Sequence, residues 1–290
     1  MARYALCVGI NEFKTLPRSS WLSGCVNDAN DISKHLKKVG FPARNVQVIT
    51  DKDATKKKVM SALQTMVGKA KPGDHVVFSF SSHGTQVPSL PGDQDEPDGL
   101  DEVFTCYDLK QAGEDWDRKT VITDDELRLL FATVPEGVLL EVVLDTCHSG
   151  TGLKDLDDIQ QAMLLGRRPR FLPPPTPKGL TRARSIREAR PRKVDRKALV
   201  ELTSAKAPGA KPVLYAACRP DQTAADARFD GRSNGAFTYL LLKALVQDSE
   251  QTRSQLQSTI LKGLKGEDFE QRSTLEGPAK AKKVAFGQLW

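Results

Sequence analysis

His75-Val76-Val77-Phe78-Ser79-Phe80-Ser81-Ser82-His83-Gly84 and Val138-Leu139-Leu140-Glu141-Val142-Val143-Leu144-Asp145-Thr146-Cys147 are the two stretches on which the reading of this chain turns. Each is a run of apolar and β-branched residues, the composition of a strand buried on both faces of a parallel sheet. One runs out into a histidine followed by glycine, the other into a cysteine followed by His148-Ser149-Gly150. His83 and Cys147 are 64 positions apart in the chain, yet strands of one sheet can bring their carboxyl ends side by side. A thiol and an imidazole so placed are what a cysteine nucleophile and its base require.

The flanking pattern supports such a sheet. Arg3–Ile10, Asn45–Thr50, His75–Ser81, Val138–Leu144 and Val213–Cys218 read as strands, with Val284–Phe286 as a sixth. Asn27–Val39, Thr55–Ala70, Asp124–Thr133 and Gly235–Val246 have helical apolar spacing, and Thr123 is a suitable N-cap for the third. The alternation predicts an α/β fold: a mostly parallel central sheet of about six strands with helices on both faces. Sites in such folds form at the carboxyl ends of the strands, where His83 and Cys147 lie. Backbone amides of Gly84 and Cys147 would there face a developing oxyanion. His148 points the other way from Cys147 on an extended backbone. His35 and His75 read as surface or structural residues.

Composition narrows the class. The 290 residues are 39% hydrophobic and 28% charged, an ordinary globular balance. No apolar stretch approaches the ~18 residues that span a bilayer. The N-terminus enters a strand without the pattern of a signal peptide. The five cysteines are widely spaced and form no Cys-x-x-Cys pair, which suits a reducing cytoplasm. Net charge is +6. Residues 166–206 hold nine Arg and four Lys against three acidic residues, a net +10 that leaves −4 for the remainder. This segment opens with Arg167-Arg168-Pro169-Arg170-Phe171-Leu172-Pro173-Pro174-Pro175, which holds neither helix nor central strand. It is expected to be a mobile linker within one domain spanning 1–290, between a larger portion, 1–165, and a smaller one, 207–290.

The ordered set of short segments resembles the metacaspases and their bacterial relatives, the orthocaspases, and points to a bacterial member. The segments are Ala5-Leu6-Cys7-Val8-Gly9-Ile10-Asn11, Leu22-Ser23-Gly24-Cys25-Val26-Asn27-Asp28-Ala29, Phe80–Gln86, Asp95–Glu102, Asp145–Thr151, Ala216–Ala224 and Gly235-Ala236-Phe237-Thr238. Ser82 stands where the family usually has glycine. The resemblance implies a caspase-like sandwich and a cysteine endopeptidase that cuts after Arg or Lys. Cys147 would be the nucleophile, His83 the proton shuttle, and Gly84 an oxyanion donor. Asp145 lies two residues before the nucleophile, on the same side of its strand, and the resemblance brings Asp28 to the same spot. Two carboxylates would attract a cationic side chain and repel an acidic one. Cys25 and Ser81 would line the same pocket.

Two charged segments complete the expectations. Asp93, Asp95, Glu96, Asp98, Asp101 and Glu102 crowd one loop. The spacing is not that of an EF-hand. The resemblance implies an activating calcium site, with Asp98, Asp124, Asp125 and Asp155 as candidate ligands. The basic linker matches the acidic pocket, so it is also a candidate substrate of its own enzyme, near Arg167, Arg168, Arg170, Arg184 or Arg190. Expected partners are protein or peptide substrates with a basic residue before the cut, and an upstream activator. No membrane and no specific nucleic acid are expected. The competing readings are a catalytically silent regulatory protein on the same fold and a nucleic-acid adaptor acting through the linker.

Overall fold

The computed structural model describes residues 1–90, 99–147, 166–188, 209–219 and 222–290. Its strands are β1 (Arg3–Gly9), β2 (Val46–Thr50), β3 (His75–Ser81), β4 (Gly84–Pro88), β5 (Leu100–Thr105), β6 (Gln111–Ala112), β7 (Asp115–Trp116), β8 (Val121–Thr123), β9 (Leu139–Asp145), β10 (Arg168–Pro169), β11 (Val213–Ala216), β12 (Ala225–Phe229), β13 (Arg232–Gly235) and β14 (Thr274–Glu276). The helices used below are α1 (Cys25–Lys38), α2 (Lys56–Val67), α3 (Asp124–Phe131), α4 (Pro177–Glu188), α5 (Ala236–Gln247) and α6 (Arg253–Gly266). The six-stranded sheet has the order β14-β11-β9-β3-β1-β2. Every pairing in it is parallel except the edge pair β11–β14.

Strand alternation divides the core into two layers. Leu6, Val8, Val76, Phe78, Phe80, Leu140, Val142 and Leu144 face one side, packing with Val59, Leu63 and Met66 of α2 and Leu127 and Phe131 of α3. Ala5, Cys7, Val77 and Val143 face the other, with Ile32 and Leu36 of α1, Phe237 and Leu241 of α5, and Leu256 and Ile260 of α6. Helices on both faces leave the carboxyl ends of β1, β3 and β9 open to loops. Capping fixes where the helices begin: Thr123 and Glu126 form a reciprocal capping box at α3, Thr252 and Gln255 another at α6.

Two expectations are corrected. Val284–Phe286 is not a sheet strand. The sixth position belongs to β14, antiparallel to β11, whose sequence Thr274-Leu275-Glu276 is too short to announce itself against the helical signal before it. The Pro/Arg-rich stretch, expected to be without regular structure, carries a strand and a helix where it is described. Arg168–Pro169 is an edge strand on β12, and Pro177–Glu188 is helical, with proline at its first position where a missing N–H costs nothing. Residues 189–208, which include the remainder of the expected linker, lie outside the described residues.

One buried ion cluster ties the distant parts together. Glu141, in the middle of β9, accepts from His75 Nε2 at 2.7 Å, Arg253 Nε at 3.0 Å and the Gly287 amide at 3.1 Å. Arg253 also donates to the carbonyls of Ala281 and Gln288. His75 is therefore structural, as expected. The cluster clamps α6 and the C-terminal segment onto the sheet.

Candidate active site

Parallel pairing of β3 and β9 aligns Ser81 with Asp145. Two residues further on, at the rim of the sheet, come His83 and Cys147. Gly84 and Cys147 are in backbone contact: a methyl group at Gly84 would overlap the Cys147 carbonyl. Only glycine permits that approach. Both amides point at one acceptor. The carbonyl oxygen of Arg170 accepts from Gly84 N–H at 2.9 Å and from Cys147 N–H at 3.3 Å.

The whole segment around Arg170 is held as an extended peptide. Arg168 and Pro169 pair antiparallel with Asp226 and Ala225. The Arg170 amide donates to Ala224 O at 2.9 Å, and the Leu172 amide to Gly84 O at 2.9 Å. Thr85 Oγ1 donates to Leu172 O at 2.6 Å. The peptide bond between Arg170 and Phe171 is thus gripped on both sides by main-chain hydrogen bonds.

The Arg170 side chain is fully buried. Its guanidinium lies 2.7 Å from Asp28 Oδ2, 3.0 Å from Asp145 Oδ1 and 3.8 Å from Asp226 Oδ1. Each carboxylate is held by donors from the other portion of the chain. Asp28 accepts from Asn234 Nδ2 and the Gly235 amide, both at 3.0 Å. Asp145 Oδ2 accepts from the amide and hydroxyl of Thr238 at 3.0 and 2.7 Å. Asp226 Oδ2 accepts from the amides of Ser23 and Gly24. Burial pushes Asp28 and Asp226 above the usual carboxylate range, while Arg170 works against that rise. Cys25 is buried at the start of α1, with its thiol pushed well up by burial and the Arg170 charge opposing. Ser81, also buried, is the register neighbour of Asp145.

His83 Nε2 lies 2.8 Å from the Ser20 carbonyl. A carbonyl only accepts, so Nε2 carries the hydrogen and Nδ1 keeps the lone pair. Nδ1 is buried without a hydrogen-bond partner among the described residues. Burial draws the imidazole down to about 4; the Ser20 carbonyl opposes this and the Arg170 charge adds to it. The Cys147 sulfur faces Ala224, accepting from its amide at 2.7 Å and lying 3.4 Å from its carbonyl. No direct hydrogen bond joins it to His83 among the described residues. Burial, then the neighbouring Cys218 thiol, pushes Cys147 well above the ordinary thiol range. In this arrangement the sulfur is engaged with Ala224 rather than with His83.

Of the acidic loop, Asp98 lies outside the described residues, as do Asp155 and His148. Asp124 is buried at the start of α3 and driven up to about 7, by burial first and then by Asp125 and Asp101. Asp124 Oδ2 and Asp101 Oδ1 are buried and lack hydrogen-bond partners among the described residues. Asp125 pairs with Arg128 at 2.8 Å and Asp101 with Arg118. No complete shell of three such ligands converges among the described residues. The two orphaned carboxylate oxygens are of the donor type that suits a hard cation, and Asp101, named in the sequence only as part of the acidic loop, was not among the candidate ligands. Sequence reasoning also missed Asp226, Ala224 and Ser20. Asp226 lies two residues past the segment ending at Ala224 and was within reach. Ser20 acts through a carbonyl, which side-chain identity cannot disclose. Of the basic candidates, Arg167 and Arg168 flank the cleft with Arg170, Arg184 falls within α4, and Arg190 lies outside the described residues.

Residues 3–156 match the family model described as the metacaspase, peptidase C14 domain. Metacaspase-1 of Cryptococcus neoformans is 31% identical, over 93% of this chain and 61% of its own length. Metacaspase-1A of Aspergillus oryzae is 31% identical, over 89% of this chain and 64% of its own. The chain therefore spans less than two thirds of these relatives. Among solved structures, a protein from Geobacter sulfurreducens superposes with a TM-score of 0.67 at 24% identity, covering 100% of this chain and 99% of its own. Caspase-1 from Spodoptera frugiperda gives 0.56 at 13% identity, covering 95% and 86%. Both show the fold. Among the described residues no helix is long and apolar enough to cross a membrane.

Proposed function

The chain belongs to the metacaspase family of cysteine-type peptidases, and from that premise we propose that it is an endopeptidase that cuts after Arg or Lys and processes itself after Arg170. The observation that carries this reading is the placement of Arg170: its carbonyl on the amides of Gly84 and Cys147, its guanidinium among Asp28, Asp145 and Asp226. The same contacts would hold any substrate with a cationic residue before the cut. Bidentate geometry suits Arg, and three carboxylates repel Asp or Glu.

Catalysis begins when the Cys147 side chain turns from Ala224 toward the bound carbonyl. Its thiol proton passes to His83 Nδ1, the nitrogen that Ser20 leaves as the lone-pair site. Sulfur attacks the carbonyl carbon, and the oxyanion is held by the Gly84 and Cys147 amides. The imidazolium returns its proton to the departing amine, leaving a thioester. Water, deprotonated by His83, then attacks the thioester. The Arg-ending carboxylate leaves, and Cys147 regains its proton. Until the sulfur turns, the bound segment blocks the cleft uncut.

Calcium is the candidate activator. Asp101, Asp124 and Asp125 would hold it, and when bound it would neutralise carboxylates packed beside the β4–β5–β8 sheet that carries Gly84. Five buried cysteines, with no disulfide among the described residues, support a reducing cytoplasm. No observation of the site favours a silent scaffold or a nucleic-acid adaptor.

The test is mass spectrometry and peptide hydrolysis on wild type and Cys147→Ala, with and without calcium. Wild type should release a fragment beginning at Phe171 and hydrolyse Arg-ending fluorogenic peptides but not Asp-ending ones. Cys147→Ala should do neither. Turnover retained in Cys147→Ala, or equal cutting after Asp, would overturn the reading. A fully silent wild type would favour the scaffold. Asp124→Asn should weaken calcium binding measured by calorimetry in the Cys147→Ala protein.

A further inference from the structure

The docked segment is basic beyond Arg170, and its upstream residues also have built receivers. Arg167 lies three residues before Arg170. Its Nη1 donates to the Asp268 carbonyl at 2.6 Å and its Nη2 to the Glu267 carbonyl at 2.8 Å. Its guanidinium carbon stands 4.1 Å from the centre of the Phe269 ring. A fork of two hydrogen bonds above an aromatic face is a full set of contacts for a planar cation.

The receiver follows from how α6 ends. The last carbonyls of a helix have no partner within it, and that end carries negative partial charge. Glu267 caps α6, and Asp268 follows in a left-handed conformation at φ 55°. The turn sends the Phe269 amide back to Leu264 O at 2.9 Å and leaves the carbonyls of 267 and 268 facing outward together. Phe269 is braced from behind: its ring lies 6.0 Å from Phe229, which stacks on Tyr239 at 4.1 Å and 7°. The charges of Glu267 and Asp268 add a favourable field. Arg168, one residue nearer the cut, donates to the carbonyls of Trp21 and Ser19 at 2.7 and 3.1 Å. Among the described residues no aromatic ring lies under its guanidinium.

We propose that Phe269 with the carbonyls of Glu267 and Asp268 is a specificity subsite for an arginine three residues upstream of the residue before the cut, so that the preferred substrates are polybasic stretches of the form Arg-x-x-Arg. This rests on the endopeptidase reading above, with residues 167–170 occupying the cleft as a substrate would. No metal or further group is required. The subsite explains why a basic linker, rather than any flexible loop with one Arg, fits this cleft.

The experiment compares fluorogenic Arg-Arg-Pro-Arg, Ala-Arg-Pro-Arg and Glu-Arg-Pro-Arg peptides on the wild-type full chain and on Phe269→Leu. Wild type should cleave the Arg-first peptide with a kcat/KM about tenfold above the Ala-first peptide, and the Glu-first peptide should fall below both. Phe269→Leu should reduce the Arg-to-Ala ratio to about threefold. Equal rates on the three peptides in wild type would overturn the subsite and leave the peptidase reading standing. Failure of wild type to cleave any of them would overturn both. The wild-type comparison needs no mutant, so a poorly folded Phe269→Leu would not rescue the proposal.

Discussion

Arg170 Nη2 and Asp28 Oδ2 lie 2.7 Å apart, both fully buried, joining residues 142 positions distant. A buried charge is tolerated only when paired and hydrogen-bonded. Here the cation comes from the basic stretch and its anions from α1, β9 and β12. The cleft is therefore assembled by all parts of the chain around one guanidinium, and the same guanidinium keeps it closed to others.

Asp28→Asn keeps the shape and the acceptor for the Gly235 amide but removes the charge nearest the guanidinium. Losing one partner of a buried charged pair costs about 3 kcal/mol, roughly a 100-fold fall in kcat/KM on Arg-ending peptides. Steady-state kinetics on matched Arg- and citrulline-ending peptides would check it. The discrimination between the two should narrow in the variant.

Gly235 borders the pocket so closely that a methyl group there would overlap Asp145 Oδ2 and the guanidinium of Arg170. Gly235→Ala should therefore raise KM for Arg-ending peptides by roughly tenfold or more. Lys-ending peptides, with a slimmer head group, should suffer less. Measured KM values for both series would decide it.

His83 is pulled from its ordinary 6.5 down to about 4, by burial first. Between these values the unfolded chain binds the proton and the folded chain does not. Its contribution to stability is therefore complete above pH 6.5 and lost as pH falls toward 4. The span corresponds to roughly 3 kcal/mol. Urea unfolding of Cys147→Ala, with and without His83→Gln, should show a difference that varies across pH 4–6.5 and is flat above it.

Arg253→Met leaves Glu141 with a smaller set of donors in a fully buried position. The expected loss is about 3–5 kcal/mol. Because Arg253 also holds the Ala281 and Gln288 carbonyls, the C-terminal segment should exchange its amides faster. After self-cleavage, the two fragments of the variant should separate at lower urea than those of wild type. Equilibrium unfolding and hydrogen exchange would measure both effects.

The sheet, most of its helices and the placement of His83 and Cys147 just past the ends of adjacent strands were readable in the chain itself. Strand alternation and apolar runs are local signals, and parallel pairing carries them forward two residues to the rim without further information. Asp145 could be named for the same reason, two residues before Cys147 on its strand, whereas Asp28 was named only through the family resemblance. What lay beyond the sequence was the occupant of their pocket. Arg170 was one of five named candidates among the thirteen basic residues between 166 and 206, and nothing local set it above the other four. The tertiary structure placed it there, because among the described residues only at Arg170 do a proline-fixed extended backbone, the free edge of β12 and three converging carboxylates coincide. Ser20 and the carbonyls of Glu267 and Asp268 were equally invisible. They act through main-chain oxygens, which every residue carries and which only long-range folding can aim.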